Sequence, residues 1–379
     1  MELRRRAALT NFQELELNAS ASPTTKFKIQ NLRFKILKKL LPGVKENVLL
    51  ENYTTFRIGG PADFFYEART EKDLIRAIKA ARQSVTPFLV LGKGSNLLFS
   101  DKGFRGLVIR NLASDLEIIK RFKKTVENRA GKTSDAHYLP ADPKKYLQFS
   151  DLDYPPEPFD TEVEAASGVP LQRLIQWSLK NNLTGLQWFA GIPGSLGGAV
   201  VYNVHGGTKL FSDYVKAVVV LDENDRIKKI KNQRKNLQFA YDASRFQNRQ
   251  EIILRVVLNL SRGDIKRARF VYREWFRRKL KVQSQALGAG SIFKNFSLEE
   301  IKKVGAPTGS AGWFIDQCGF KGKVAGGVKV SEIHANFIVN FNHGRASDVK
   351  KLIKTIKKTV KKKFKLNLRE EILILPEKF

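Results

Sequence analysis

Residues 288–296 read GAGSIFKNF. Gly288 and Gly290 let the backbone bend and come close to a ligand, and next to them stands one hydroxyl, Ser291. A serine so placed is either a reacting group or a hydroxyl that stabilises a turn, and the segment alone fits both. Two other stretches carry groups suited to binding. LGKGSNLL (91–98) and AGIPGSLGGAV (190–200) are glycine-rich, and such loops expose backbone N–H groups to a phosphate. The first runs Gly92-Lys93-Gly94 and then Ser95-Asn96, with Leu97 where the third glycine of a dinucleotide fingerprint would stand. That weakens a simple Rossmann reading. Two such loops in one chain, each beside an expected strand, still favour a dinucleotide with two phosphates.

The elements that must position these groups come from a chain of 379 residues, 42% apolar, enough for two or three domains. A single cysteine, Cys318, excludes an internal disulfide framework and fits a reducing compartment. The histidines, His137, His205, His334 and His343, are scattered without metal-ligand spacing, so no metal site is expected. The start, MELRRRAAL, has the charge of a secretion signal but not its apolar core, and no run approaches the length of a membrane span. A cytoplasmic protein with no membrane partner is expected. The net charge of +31 calls for a polyanion: nucleic acid, an anionic membrane or a phosphorylated small molecule. Many lysines fall in 347–367, where Val349, Leu352, Ile353, Ile356, Val360 and Phe364 recur at helical spacing behind Ser347 as N-cap. The lysines then fill a solvated face. No nucleic-acid signature accompanies them, so no specific nucleic-acid partner is expected.

Residues 1–28 have the composition of a poorly ordered arm. A helix is expected over 32–41, halted by Pro42-Gly43, and another over 70–83 with Thr70 as cap and Asp73 closing the box. Strand-like runs flank Gly59-Gly60-Pro61 and the first glycine loop, giving a small α/β unit that ends near Asn111. Residues 121–160 are polar and aperiodic and read as an inserted surface loop. Then come a strand at 161–168, a helix with Pro170 in its first turn, strands at 215–222 and 251–260, and a basic helix over 264–282 opening the last third. A terminal strand, EEILIL, spans 370–375. Trp188, Trp275 and Trp313 are expected as core or pocket-wall aromatics.

TTFRIGGPADFF, LGKGSNLLFSDKGFRGLVI, GIPGSLGGAV, GAGSIFKN, AGWFIDQCGFKG and SEIHANFIVN occur in this order. Together they resemble the UDP-N-acetylmuramate dehydrogenase (MurB) family, from about Asn52 to Leu375 apart from 121–160. The resemblance implies an α+β fold. A two-part FAD-binding domain of the vanillyl-alcohol-oxidase type would comprise subdomains at 29–111 and 112–262, followed by an α+β substrate-binding domain at 263–379. It implies a cytoplasmic flavoenzyme of peptidoglycan precursor synthesis. NADPH would reduce FAD, and the flavin would pass hydride to the enolpyruvyl group of a UDP-sugar, UDP-N-acetylglucosamine-enolpyruvate. A relative in the flavin superfamily with another substrate, or one that had lost activity, is the alternative. Another substrate would leave no need for GAGSIFKN and LREEI, yet both are present.

Carried over residue by residue, the resemblance makes Arg57, Gly92, Gly94, Ser95, Asn96, Leu97, Pro193, Gly194, Gly197, Gly198 and Ala199 contacts of the flavin. Ser291 becomes the proton donor to the enolate-like centre that hydride addition leaves. Glu371, in LREEI, becomes the acid or stabiliser beside it. Glu370 stands where the family often has proline, and neighbours on a strand face opposite sides, so only one of the two can serve. Lys294, Asn295, Gln317 and Asn340 fall in motifs that line the substrate site. Two positions depart from the pattern. YDASRF (241–246) has Asp242 where the family has an active-site arginine, an unfavourable exchange beside an anionic substrate. Either Arg245 fills the gap or the subgroup needs no arginine; both readings stay open. Phe296 replaces a usual proline.

Overall fold

Three sheets and one crossing strand position the site. The computed structural model describes residues 23–123, 152–155, 157–282 and 286–375. The first unit holds α1 (Pro23–Leu40), β1 (Lys45–Leu49), β2 (Pro61–Ala68), α2 (Glu71–Gln83), β3 (Phe88–Leu91), β4 (Leu97–Phe99) and β5 (Phe104–Asn111). Its sheet runs β1-β2-β5-β3, with β2, β5 and β3 parallel and β1 antiparallel at the edge. Helix α2 starts at the expected capping box: Thr70 Oγ1 accepts from Asp73 N at 3.1 Å, and the Asp73 carboxylate accepts from Thr70 N at 3.2 Å. Its Leu74, Ala77, Ile78 and Ala81 bury against Phe64, Tyr66, Leu107 and Ile109. The parallel β3 therefore ends firmly held, and the first glycine loop leaves from its C-terminal end. Helix α1 begins at Pro23, inside the stretch expected as an arm, because Leu37 and Leu41 dock on this same core. Residues 1–22 lie outside the described residues.

The second unit comprises β6 (Leu116–Arg121), β7 (Thr161–Ala166), α3 (Leu171–Lys180), α4 (Leu196–Val201), the small hairpin β8 (His205–Gly206) and β9 (Lys209–Leu210), β10 (Val215–Leu221), β11 (Ile227–Lys231) and β12 (Ile252–Leu260). Its sheet is antiparallel throughout, in the order β11-β10-β12-β7-β6. Here the structure corrects two readings. The stretch read as a surface loop places Leu152, Tyr154 and Phe159 in this core; the rest of that reading, 124–151 and 156, lies outside the described residues. Three apolar anchors in a proline-broken stretch have no period to betray them. The basic helix α5 (Ile265–Val282), expected to open the C-terminal unit, also packs Ala268, Val271 and Trp275 into the second core.

The third unit contains β13 (Leu287–Ser291), α6 (Leu298–Lys303), α7 (Ala311–Gln317), β14 (Val324–Ala325), β15 (Val328–Val330), β16 (Phe337–Asn340), α8 (Ala346–Phe364) and β17 (Leu373–Leu375). The sheet order is β13-β16-β15-β14. Helix α8 buries the predicted stripe, Val349, Leu352, Ile353, Ile356 and Val360. Its cap is not Ser347. The helix starts one residue earlier, and Asp101 of the first unit accepts from Ala346 N at 2.6 Å and Ser347 N at 3.1 Å. Burial works against that carboxylate, but these hydrogen bonds win and hold it below its usual range. The second tie between units is β17, which stands outside the β13-β16-β15-β14 sheet and pairs in parallel with β4, Leu373 opposite Leu97. Among the described residues no helix is long and apolar enough to cross a membrane.

Candidate active site

The glycine loops and the Ser291 segment meet in one cleft of about 2690 Å³. Gly94 takes φ +63, and a Cβ there would overlap the Tyr53 carbonyl oxygen. A Cβ on Gly92 would overlap Ser195 Oγ. The two loops thus touch, and Ser95 Oγ donates to Pro193 O at 3.0 Å. They are not equivalent. In the second, Leu196 N, Gly197 N and Ala199 N donate to Val169, Ser167 and Ser195 carbonyls at 2.8, 2.8 and 2.9 Å. In the first, the backbone N–H groups of 92–96 donate to nothing among the described residues. Both loops line the cleft, and in the second the N–H groups of Gly191, Gly194 and Ser195 likewise donate to nothing among the described residues, so both have free donors of the kind a phosphate takes.

Ser291 closes β13, half-buried on the cleft wall. Gly290 takes φ +77 with open space where a side chain would sit, so backbone conformation alone requires glycine there. The chain is then clamped: Ile292 N donates to Asn336 O at 2.8 Å, Phe293 N to Asn336 Oδ1 at 2.9 Å, and Asn336 Nδ2 to Phe293 O at 2.8 Å. Upstream, Gly288 N reaches Thr55 O at 3.1 Å. The strand leading into β17 lies alongside, with Glu371 N on Ile292 O at 2.8 Å and Lys294 N on Arg369 O at 2.9 Å. From the other side Asn96 Nδ2 donates to Glu371 O at 3.2 Å, and Leu373 N donates to Asn96 O at 3.0 Å. The glycine loop, the Ser291 strand and Glu371 are therefore one hydrogen-bonded assembly.

Glu371 and Glu370 separate as strand geometry requires. Glu370 pairs with Lys357 of α8 at 2.7 and 2.9 Å. Glu371 carries the strongly shifted carboxyl of the cleft, pushed up to about 8 by loss of water and then by the Asp242 carboxylate, with Lys294 pulling the other way. It is an acid held neutral at neutral pH.

Residues 283–375 match the family UDP-N-acetylenolpyruvoylglucosamine reductase, C-terminal domain, and residues 62–148 and 152–231 match the FAD binding domain family. A UDP-N-acetylenolpyruvoylglucosamine reductase of Caldanaerobacter subterraneus subsp. tengcongensis is 34% identical over 349 residues, covering 90% of this chain and 99% of that protein. The chain belongs to the UDP-N-acetylenolpyruvoylglucosamine reductase family. The Chlamydia felis reductase is 31% identical over 88% of this chain and 95% of its own length. The crystal structure of the Thermus caldophilus reductase (MurB) superposes with TM-score 0.64 at 29% identity, over 88% of this chain and all of that one.

With the family established, the expected site residues can be placed. Arg57, Gly92, Gly94, Ser95, Asn96, Leu97, Pro193, Gly194, Gly197, Gly198, Ala199, Ser291, Lys294 and Glu371 all line the cleft. Asn295, Gln317 and Asn340 are not among the residues that line it. Asn295 accepts from Ala311 N at 3.1 Å and so holds the start of α7. Gln317 ends α7 with an exposed side chain, its carbonyl accepting Lys363 Nζ at 2.5 Å. Asn340 donates to Phe56 O and Arg57 O at 3.1 and 3.2 Å and accepts from Gly344 N at 2.8 Å, a brace behind the Arg57 turn. Asn295 and Asn340 thus brace neighbouring backbone rather than line the cleft. Arg245 does not replace the missing arginine: its guanidinium grips Glu251 at 3.0 and 2.7 Å and Asn236 O at 2.6 Å. Phe296 uses what proline lacks, donating its N–H to Gly309 O at 2.8 Å, and its ring packs edge-on to Phe314.

No motif marks Lys279 in the sequence. It lies in the cleft wall on α5, its ammonium 5.5 Å from the Trp275 ring centroid, and burial pushes its pKa down to about 7. Helical spacing from Trp275 placed it near the apolar face; nothing local showed that this face lines a ligand site. The lysines of α8 are also not all on open surface, since Lys350, Lys354 and Lys357 line the cleft.

Proposed function

We propose that this chain reduces UDP-N-acetylglucosamine-enolpyruvate to UDP-N-acetylmuramate in peptidoglycan precursor synthesis, working, as its family does, in the cytoplasm with FAD as resident cofactor and NADPH as reductant. The observation that carries this reading is the bonded assembly of Asn96, Ser291's strand and Glu371, which puts a hydroxyl and a neutral carboxyl beside a glycine loop with free donors of the kind a phosphate takes. When bound, FAD supplies hydride transfer between NADPH and the enolpyruvyl carbon. The protein's own work is then the proton. Ser291 Oγ–H would supply the proton to the carbon next to the one that gains hydride, since a centre of enolate character is basic enough to take it from a well-placed hydroxyl. Glu371, kept un-ionised, donates a hydrogen bond where negative charge develops instead of repelling it. Lys294 offers a cation to the substrate's carboxylate or diphosphate, and Lys279, its pKa lowered to about 7 by burial, offers one only in its protonated form. The lysines of α8 raise the local concentration of such an anion.

The test is anaerobic NADPH oxidation by the FAD-loaded protein, with and without UDP-N-acetylglucosamine-enolpyruvate. Substrate-dependent turnover is expected. Bound flavin that NADPH reduces and that never responds to the enolpyruvyl substrate would sink the reading.

A further inference from the structure

Asp242 presents a problem of charge. It is 7% exposed, lines the cleft, and faces Glu371, in a site meant for an anion. A buried carboxylate without a partner is costly, and here it would also repel substrate. The cation that the sequence offered, Arg245, is bound to Glu251 and Asn236. The cation that the structure offers comes from elsewhere. His205 Nδ1 lies 3.5 Å from Asp242 Oδ1. The Tyr241 hydroxyl is 3.4 Å from Nε2 of the same ring, and the two rings stack with centroids 4.7 Å apart.

We propose that His205 is a positioning and charge-compensating residue of this active site, supplying from the segment after α4 the positive charge that the 241–246 segment no longer carries. This rests on the reductase reading above. The pair is built rather than incidental. Ala240 and Ala243 exchange backbone hydrogen bonds at 3.0 and 3.2 Å, which puts Tyr241 and Asp242 at the tip of a tight turn, and Asp242 takes φ +50. Two bonds dock that turn on the segment bearing His205: Ser244 Oγ to Val201 O at 2.7 Å and Asn203 Nδ2 to Ala240 O at 2.8 Å. Gln247 Nε2 fixes the Asp242 carbonyl at 2.9 Å. Both members line the cleft. With its ring protonated the pair is neutral. Without it Asp242 stands as a lone negative charge near the place of the substrate's carboxylate, and Lys294 must offset both.

The measurement is the dissociation constant of UDP-N-acetylglucosamine-enolpyruvate for the oxidised, FAD-loaded protein, read from perturbation of the flavin absorbance, with turnover recorded in parallel. His205→Gln should weaken binding by about tenfold or more, because it leaves a buried charge unpaired. His205→Lys, which keeps a cation, should stay within about threefold of the parent, and His205→Gln with Asp242→Asn should return to within about threefold of Asp242→Asn alone. A double variant as weak as His205→Gln, or a lysine variant as weak as the glutamine one, would overturn the proposal. Should His205→Gln lose its flavin, Asp242→Asn decides: removing the carboxylate must not weaken binding, and a tenfold loss overturns the pair. A parent protein that binds the substrate and follows this pattern but does not turn it over removes the reductase reading and leaves the pair standing.

Discussion

Two parts of the cleft wall are held in different ways. The part made by β13 and the strand into β17 is joined by main-chain hydrogen bonds, Ile292 with Glu371 and Lys294 with Arg369, with the Asn96 and Asn336 carboxamides bonding to its main chain from either side. Its Ser291, Lys294 and Glu371 line the cleft. The part made by residues 201–205 and 240–246 is fixed by side chains of other residues, Asn203, Ser244 and Gln247, that grip main-chain oxygens. The bond that holds Asp242 uses its carbonyl and not its carboxylate, so it does not depend on the charge at 242. This turn carries Asp242 where the family resemblance implies an arginine. A wall whose shape does not depend on its reacting side chains is one where a charge can be exchanged and compensated from a neighbouring segment.

Substitutions can test this contrast. The largest effect is expected from Ser291→Ala, a loss of roughly 10²–10⁴ in kcat with NADPH reduction of bound FAD unchanged, since the proton and not the hydride is removed. Less than a tenfold loss in stopped-flow and steady-state assays would move the proton donor elsewhere. Glu371→Gln should cost about 10–100-fold. In the parent enzyme the acid form predominates below a pKa of about 8, so kcat should fall as pH rises through that value and the fall should vanish in the glutamine variant. A limb that persists in the variant assigns it to another group. Gly94→Ala forces a side chain into a left-handed backbone at φ +63 against the Tyr53 carbonyl. It should cost roughly 1–3 kcal/mol in denaturant unfolding and loosen flavin retention. Glu370→Gln removes a half-exposed ion pair to Lys357, so kcat should stay within about twofold and stability within about 1 kcal/mol. If it instead matches Glu371→Gln, the two neighbouring carboxylates have been assigned the wrong way round.

What the sequence revealed follows the range of the interaction. The Thr70–Asp73 box joins residues three apart and was legible. So were the apolar stripe of α8 and the glycines whose φ values a turn demands. That Ser291 lies on the cleft wall was legible, because its motif is contiguous. Reading failed where a partner lies far along the chain. Ser347 looked like a cap, but Asp101, 245 residues from Ala346, does that work. Leu152, Tyr154 and Phe159 looked like loop because their burial has no period. Asn340 looked like a ligand contact, and only the fold shows its carboxamide turned to Phe56 O and Arg57 O, more than 280 residues away. The His205–Asp242 contact joins two segments whose own patterns say nothing of each other.

The pairing of β17 with β4 has a consequence for how the protein fails under stress. It comprises three residue pairs, none of them fully buried on the β17 side, against the long ladders of the first and second sheets. Such a short ladder belongs among the parts of a protein that open ahead of the rest. When it opens, Glu371 loses its register with Asn96 while the sheets that form the flavin loops stay folded. Warming or mild denaturant should therefore silence the enzyme in two steps, reductase turnover first and bound flavin later. The strand would then act as a fuse, parting Glu371 from Asn96 before the glycine loops are lost.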